Sequence, residues 1–182
     1  LDLAEDRSLL RFSASSGLRA FLLDWGDPGD AERRFTLEDY IEGVLIPALE
    51  EVKTRTGQTP RVVGYCMGGT LAAAATVLRP DLVAALGLLA APWDFHADKA
   101  GHAFLLSMGP MLAEMADRLG ELPVDVLQTL FWSLDPWLAV KKFGRFLGLD
   151  RNGDNAREFV LLEDWLNEGA PLAGPVAREC LI

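Results

Sequence analysis

This chain is poor in the residues that staple or anchor proteins. Its 182 residues include two cysteines, Cys66 and Cys180. Two cysteines cannot make a disulfide framework, and a reducing compartment is the simplest setting for them. Histidine is equally scarce, with His96 and His102 as its two representatives. Basic residues are outnumbered, 17 Lys and Arg against 27 Asp and Glu, for a formal net charge of −10. An acidic surface of that size argues against nucleic acid and against anionic membranes as partners. It does not exclude an anionic substrate, because a pocket can be locally positive. No apolar run reaches the roughly 20 residues that a transmembrane segment needs. No charged segment leads into an apolar one at the start, so no signal peptide is expected and a cytoplasmic location is. There is no internal repeat and no low-complexity tract. The chain opens on Leu1-Asp2-Leu3 with no initiator Met, and residues 176–182 stop inside what reads as the start of a helix. A chain cut from a longer protein is expected.

What is present is a core. Half the residues are hydrophobic and 24% are charged, as in a globular domain. Residues 7–16 have helical spacing, with Gly17 placed as a C-cap. Residues 18–25 form a short apolar run between glycines and predict a buried strand. Gly26-Asp27-Pro28-Gly29 is a loop by its turn chemistry. Thr36 followed by Asp39 predicts a helix start related to the capping box. Tyr40, Ile41, Val44, Leu45, Leu49 and Val52 then recur at helical spacing. Pro47 should bend that helix and Gly57 should end it. Residues 61–63 predict a strand, 70–78 an Ala-rich helix stopped before Pro80, and 83–89 another strand. Alternation of this kind implies an α/β fold, a mostly parallel sheet with helices on both faces.

After Pro92 no clear strand is predicted until about residue 146, and Met and aromatic residues recur at helical spacing. They pack a core or line a pocket or partner surface. The expected organisation is an α/β core over 1–97, a helical cap over 98–157 and a return to a core helix over 158–182. Residues 150–155 are turn-like. Their acidic spacing is incomplete for a calcium loop and no bidentate Glu follows, so no metal is expected.

Chemistry concentrates in Gly64-Tyr65-Cys66-Met67-Gly68. A strand, then Gly-x-Cys-x-Gly, then a helix is the nucleophile-elbow arrangement, lipase-box-like with Cys in place of Ser. The turn is so sharp that its neighbours need almost no side chain, a need met by Gly64 and Gly68, with Gly69 extending the clearance. Cys66 falls at a helix N-terminus, whose positive end favours a thiolate. The backbone N–H of Met67 is placed to donate to an oxyanion. The plain alternative is a buried structural cysteine beside a tight turn.

Other polar residues have two readings each. Asp94 and His96 follow a strand at the same sheet edge, so they can serve as orienting acid and base. The plainer reading, which is preferred, is a loop Asp capping the first cap helix with a polar His nearby. His102 reads as a cap surface residue and Cys180 as a packing residue on a helical end. Asp24 and Asp27 either reach the pocket or satisfy loop backbone.

Four segments in order along the chain resemble polyhydroxyalkanoate (poly-3-hydroxybutyrate) synthases. They are Leu22-Leu23-Asp24-Trp25-Gly26-Asp27-Pro28, Thr36-Leu37-Glu38-Asp39-Tyr40-Ile41, Gly64-Tyr65-Cys66-Met67-Gly68-Gly69-Thr70-Leu71 and Leu162-Glu163-Asp164-Trp165-Leu166-Asn167-Glu168-Gly169. The resemblance implies an α/β-hydrolase core with a cap, and an acyltransferase that polymerises (R)-3-hydroxyacyl-CoA through a covalent acyl-cysteine at Cys66. It implies no cofactor beyond the coenzyme A thioester used as substrate. The growing polymer would be a second ligand, with a homodimer and a polymer-granule surface as further candidate partners. It also places the family's base His and its partner Asp beyond Ile182, and the second oxyanion donor before Leu1. The 182 residues taken alone are therefore expected to lack polymerising activity. A cysteine thioesterase or depolymerase on the same scaffold is the alternative within enzymes. A non-catalytic granule-associated module is the alternative outside them.

Overall fold

A computed structural model describes residues 2–94 and 103–181. The elements begin with β1 (Asp2–Ala4), β2 (Arg7–Ser8) and α1 (Leu9–Ser15). Next come α2 (Leu37–Tyr40), a π-helical turn over Ile41–Leu45 and α3 (Ile46–Thr56), then β3 (Arg61–Tyr65), α4 (Met67–Leu78) and β4 (Ala85–Leu89). Beyond residue 102 lie α5 (Ala103–Leu119), β5 (Glu121–Leu122), α6 (Val124–Leu134), α7 (Leu138–Leu147), α8 (Asp154–Asn167), β6 (Leu172–Ala173) and α9 (Gly174–Leu181). These elements form two compact units, one of Leu1–Asp27 with Pro123–Pro171, the other of Pro28–Leu122 with Leu172–Ile182. These boundaries differ from the expected ones at 97/98 and 157/158.

The second unit holds the elbow. Its first helix starts as predicted. Thr36 Oγ1 accepts from the Asp39 N–H at 3.1 Å, and an Asp39 carboxylate oxygen accepts from the Thr36 N–H at 2.8 Å. That reciprocal pair is a capping box and satisfies two otherwise orphan donors. Pro47 lacks an N–H and its ring crowds the carbonyl four residues back. The disturbance takes the form of the π turn just before it, so the helix runs on into α3. Gly57 closes α3 in the left-handed region, φ 67°, with its N–H on the Lys53 carbonyl at 2.8 Å.

β3 and β4 pair in parallel, from Arg61 opposite Ala85 to Tyr65 opposite Leu89. Leu71, Ala72, Ala73 and Ala75 of α4 are buried. Leu45, Ile46 and Leu49 from the preceding helix and Leu82 complete that core. Leu82, only 2% exposed, contributes about 1.5–3 kcal/mol by its burial.

The same unit contains α5, β5, β6 and α9. β5 and β6 form a short antiparallel pair, Glu121 with Ala173 and Leu122 with Leu172. β5 falls in the stretch where no strand was predicted, because a pair this short has no period to read. α5 and α9 approach closely at Gly109, where an added Cβ would lie 2.5 Å from the Leu181 carbonyl oxygen. Arg178 of α9 pairs with Asp117 of α5, and Glu179 accepts from the Leu37 N–H at 2.9 Å. These contacts draw α5 and β5 into this unit rather than into the expected cap.

Residues 18–25 are not a strand. They run as irregular chain with Leu18, Phe21 and Leu22 exposed. A strand exists only where a neighbouring edge accepts its N–H and C=O groups, and among the described residues β3 and β4 pair with each other alone. The expected mostly parallel sheet is thus present as one parallel pair.

The first unit is largely helical. β1 and β2 pair antiparallel, and Arg7 bonds Glu158 of α8 at 3.2 Å. α7 meets α8 through the Lys142–Glu163 pair at 2.7 Å and through Phe143 and Phe146, which pack on Phe159. α8 begins at Asp154, where a carboxylate suits the positive end of a helix. Among the described residues no helix is long and apolar enough to cross a membrane.

Candidate active site

The chain leaves β3 at Tyr65 and enters α4 at Met67, so Cys66 alone makes the turn. It does so with φ 52° and ψ −130°. A non-glycine residue at positive φ is strained and persists only where its surroundings hold it. Three features hold this one. The Cys66 N–H donates to the Leu89 carbonyl at 2.9 Å, extending the sheet ladder by one rung. The Cys66 carbonyl accepts from the Gly69 N–H at 2.8 Å, closing the first turn of α4. Strand and helix touch through glycine. A Cβ on Gly64 would lie 2.4 Å from the Gly69 Cα and 2.7 Å from the Gly68 carbonyl oxygen.

Cys66 is exposed and does not use its side chain to cap α4. Among the described residues no hydrogen bond engages its sulfur, which stands at the start of a helix. Met67 is the first residue of α4, where backbone N–H groups lack an intrahelical acceptor. A negative oxygen forming beside Cys66 meets that end of the helix dipole.

The glycines divide differently from their expected roles. Gly64 and Gly69 are the crossing pair, and a Cβ on Gly69 would also come 2.5 Å from the Ala91 Cβ. A Cβ on Gly68 would meet nothing within 4 Å, so its expected steric role in the turn is not realised. The reason is helical rotation: Gly69 faces the strand while Gly68, one residue earlier, points away from it.

Asp94 lies on the exposed loop after β4. His96 and His102 fall outside the described residues, so the acid–base reading of Asp94 with His96 does too. Asp24 accepts from the Gly26 N–H at 3.0 Å, in keeping with a residue that satisfies loop backbone. Cys180 is half-buried on α9, and burial, aided by the neighbouring Glu179 charge, pushes its thiol up to about 11. Two features had no local signal. Ala90, just past β4, also has positive φ, 49°. The Thr70 hydroxyl in the first turn of α4 donates to the Pro92 carbonyl at 2.5 Å. Both depend on two strand ends lying side by side.

A parallel strand, a strained cysteine and a helix crossing the strand glycine on glycine define a nucleophile elbow of the hydrolase type. Residues 3–162 match the family model for the alpha/beta hydrolase fold, and the chain belongs to that family. It is similar to the poly(3-hydroxyalkanoate) polymerase subunit PhaC of Haloarcula marismortui, 33% identical over 96% of this chain and 37% of that protein. The PhaC subunit of Allochromatium vinosum is 30% identical over 98% of this chain and 50% of that protein. That of Synechocystis is 32% identical over 100% of this chain and 50% of that protein. The chain thus spans half or less of these curated relatives. No solved structure matches it.

Proposed function

We propose that the protein carrying this chain is an acyltransferase that polymerises (R)-3-hydroxyacyl groups from coenzyme A thioesters through an acyl-Cys66 intermediate. The observation that carries this reading is an exposed cysteine on a strained elbow, in a chain similar to subunits named poly(3-hydroxyalkanoate) polymerase. The Cys66 sulfur attacks the thioester carbonyl. The Met67 N–H donates to the oxygen that becomes negative, and the tetrahedral species collapses with loss of coenzyme A as thiol. One thioester has replaced another, so the step is near thermoneutral and the acyl group stays activated. A Ser ester would dissipate that activation, and Cys is the better nucleophile near neutral pH. The hydroxyl of a second hydroxyacyl group then attacks the acyl-Cys66 carbonyl. A general base takes its proton and returns it to the departing sulfur, so an ester forms and the thiol is regenerated.

Coenzyme A enters as substrate, and the reaction needs no further cofactor. The growing polymer is the second ligand, in a reducing cytoplasmic setting with a homodimer and a granule surface as its partners. The test is to supply (R)-3-hydroxybutyryl-CoA to the protein that carries this chain. Release of coenzyme A with insoluble polymer supports the reading, and Cys66→Ala should abolish both. Free hydroxy acid in place of polymer would indicate a thioesterase. Absence of any turnover would indicate a non-catalytic module.

A further inference from the structure

The strain at Cys66 is not isolated. Tyr65 and Leu89 are the last paired residues of β3 and β4, so Cys66 and Ala90 are the next residues on adjacent parallel strands. Both have positive φ, 52° and 49°, and among the described residues they are the non-glycine positions that do. Two neighbouring strand ends therefore turn together through a conformation that L side chains rarely adopt. Neither turn is held by glycine, so contact must hold it.

The contacts form a seam. The first turn of α4 runs beside the loop after β4 and meets it residue by residue. Cys66 bonds Leu89 through its N–H at 2.9 Å. Gly69 sits so close to Ala91 that an added Cβ would be 2.5 Å from the Ala91 Cβ. The Thr70 hydroxyl donates to the Pro92 carbonyl at 2.5 Å, across 22 residues of sequence.

That last bond is unlike its counterparts. Helical Ser and Thr hydroxyls usually turn back on the carbonyl four residues earlier. Thr56 does so on Val52, Thr76 on Ala72 and Thr129 on Asp125, each at 2.7 Å. For Thr70 that carbonyl belongs to Cys66, which lies outside the helix at the strained turn. The Thr70 hydroxyl reaches across to the loop instead. Its acceptor needs a donor, because Pro92 is half-buried and a buried carbonyl seldom goes unpaired.

We propose that Thr70 is a positioning residue: its hydroxyl clasps the Pro92 carbonyl, locks the loop after β4 along the first turn of α4, and so keeps Cys66 in the strained conformation that presents its sulfur. This rests on reading Cys66 as the acyl-carrying nucleophile. Without the clasp the loop is free to shift along the helix, Ala90 and Cys66 relax toward ordinary backbone angles, and the sulfur moves from its attacking position. Substrate binding elsewhere is untouched, so the loss falls on the chemical step and not on affinity.

The experiment compares Thr70→Val, which keeps the shape and removes the hydroxyl, with Thr70→Ser, which keeps the hydroxyl. Thr76→Val, about one and two-thirds turns further along α4, controls for loss of a helical hydroxyl as such. Thr70→Ala replaces the valine variant should the latter fail to fold. All are made in the protein that carries this chain. Two assays are run: steady-state kinetics with (R)-3-hydroxybutyryl-CoA, giving kcat and KM, and the rate of alkylation of Cys66 by iodoacetamide, followed by mass spectrometry. Thr70→Val should lower kcat and the alkylation rate about tenfold, within the range a small displacement of a reacting atom produces, with KM held within about twofold. Thr70→Ser should restore both rates to within about twofold, and Thr76→Val should leave both unchanged. Parent-like rates in Thr70→Val overturn the proposal. So does an equal loss in Thr70→Ser, or a loss confined to KM. Alkylation needs no turnover. If the parent forms no polymer, the functional reading fails while the Cys66 alkylation rates still decide the clasp.

Discussion

A single methyl group placed at Gly64 should disable this fold locally, and the structure sets the size of the effect. The Cβ of Gly64→Ala would lie 2.4 Å from the Gly69 Cα, 2.7 Å from the Gly68 oxygen and 2.8 Å from the Gly69 nitrogen. All three are backbone atoms, so no side chain can swing aside. Ordinary carbon contacts lie at about 3.5–4.0 Å, so the start of α4 must withdraw from β3 by about 1 Å. Overpacking of this kind costs about 1–3 kcal/mol, and the rigid neighbours here put it near the upper value. At about 2–4 °C per kcal/mol for a chain of this size, the unfolding midpoint should fall by roughly 6–12 °C. Displacing Cys66 by about 1 Å should also slow acyl-enzyme formation about 100-fold. Gly68→Ala is the internal control. Its Cβ meets nothing within 4 Å, so it should gain the roughly 0.5–1 kcal/mol by which Ala exceeds Gly in a helix. Thermal unfolding followed by circular dichroism reads the stabilities, and intact-mass analysis after incubation with substrate reads the acyl-enzyme. The reasoning is refuted if Gly64→Ala unfolds at the parent midpoint, or if Gly68→Ala is the more destabilising of the two.

Gly69→Ala should be rescued by a second change. Its Cβ would sit 2.5 Å from the Ala91 Cβ, whereas the next neighbour is the Gly64 oxygen at 3.1 Å, so Ala91→Gly should recover most of the lost stability in a double-mutant cycle. The two cysteines should separate by pH. The Cys180 thiol is pushed up to about 11, so iodoacetamide at pH 8 should modify Cys66 and spare Cys180, and peptide mapping showing the reverse would overturn the assignment of the nucleophile. Thr36→Ala should destabilise the fold in a pH-dependent way. Hydrogen bonds from the Thr36 backbone and hydroxyl hold the Asp39 carboxyl below its usual range. Its stabilising contribution is thus full above the unfolded value and lost as pH falls through the folded one, and the gap between parent and variant melting points should narrow there.

Local signals and long-range ones separated cleanly in this chain. The capping box of Thr36 and Asp39 and the left-handed cap at Gly57 were legible because the interacting groups lie within one helical turn of each other. The elbow was legible for the same reason, since strand, turn and helix start are consecutive and their residue types are prescribed by the turn itself. Residues 18–25 carry the composition of a strand, yet composition cannot supply the neighbouring edge that makes one. β5 and β6 show the converse, a pair too short to have a pattern and set only by where α5 and α9 bring the chain. Which glycine does the crossing was also beyond the motif. Gly64, Gly68 and Gly69 look equivalent in a line of letters, and helical rotation alone turns Gly69 onto the strand and Gly68 away from it. Sequence by itself thus determined the elbow cysteine and the elements that carry it. Tertiary structure decided what surrounds that cysteine: the Leu89 carbonyl, the left-handed turn at Ala90 and the Thr70 bond to Pro92. The two hydrogen bonds join segments some twenty residues apart, and such contacts exist only once β3 and β4 lie side by side.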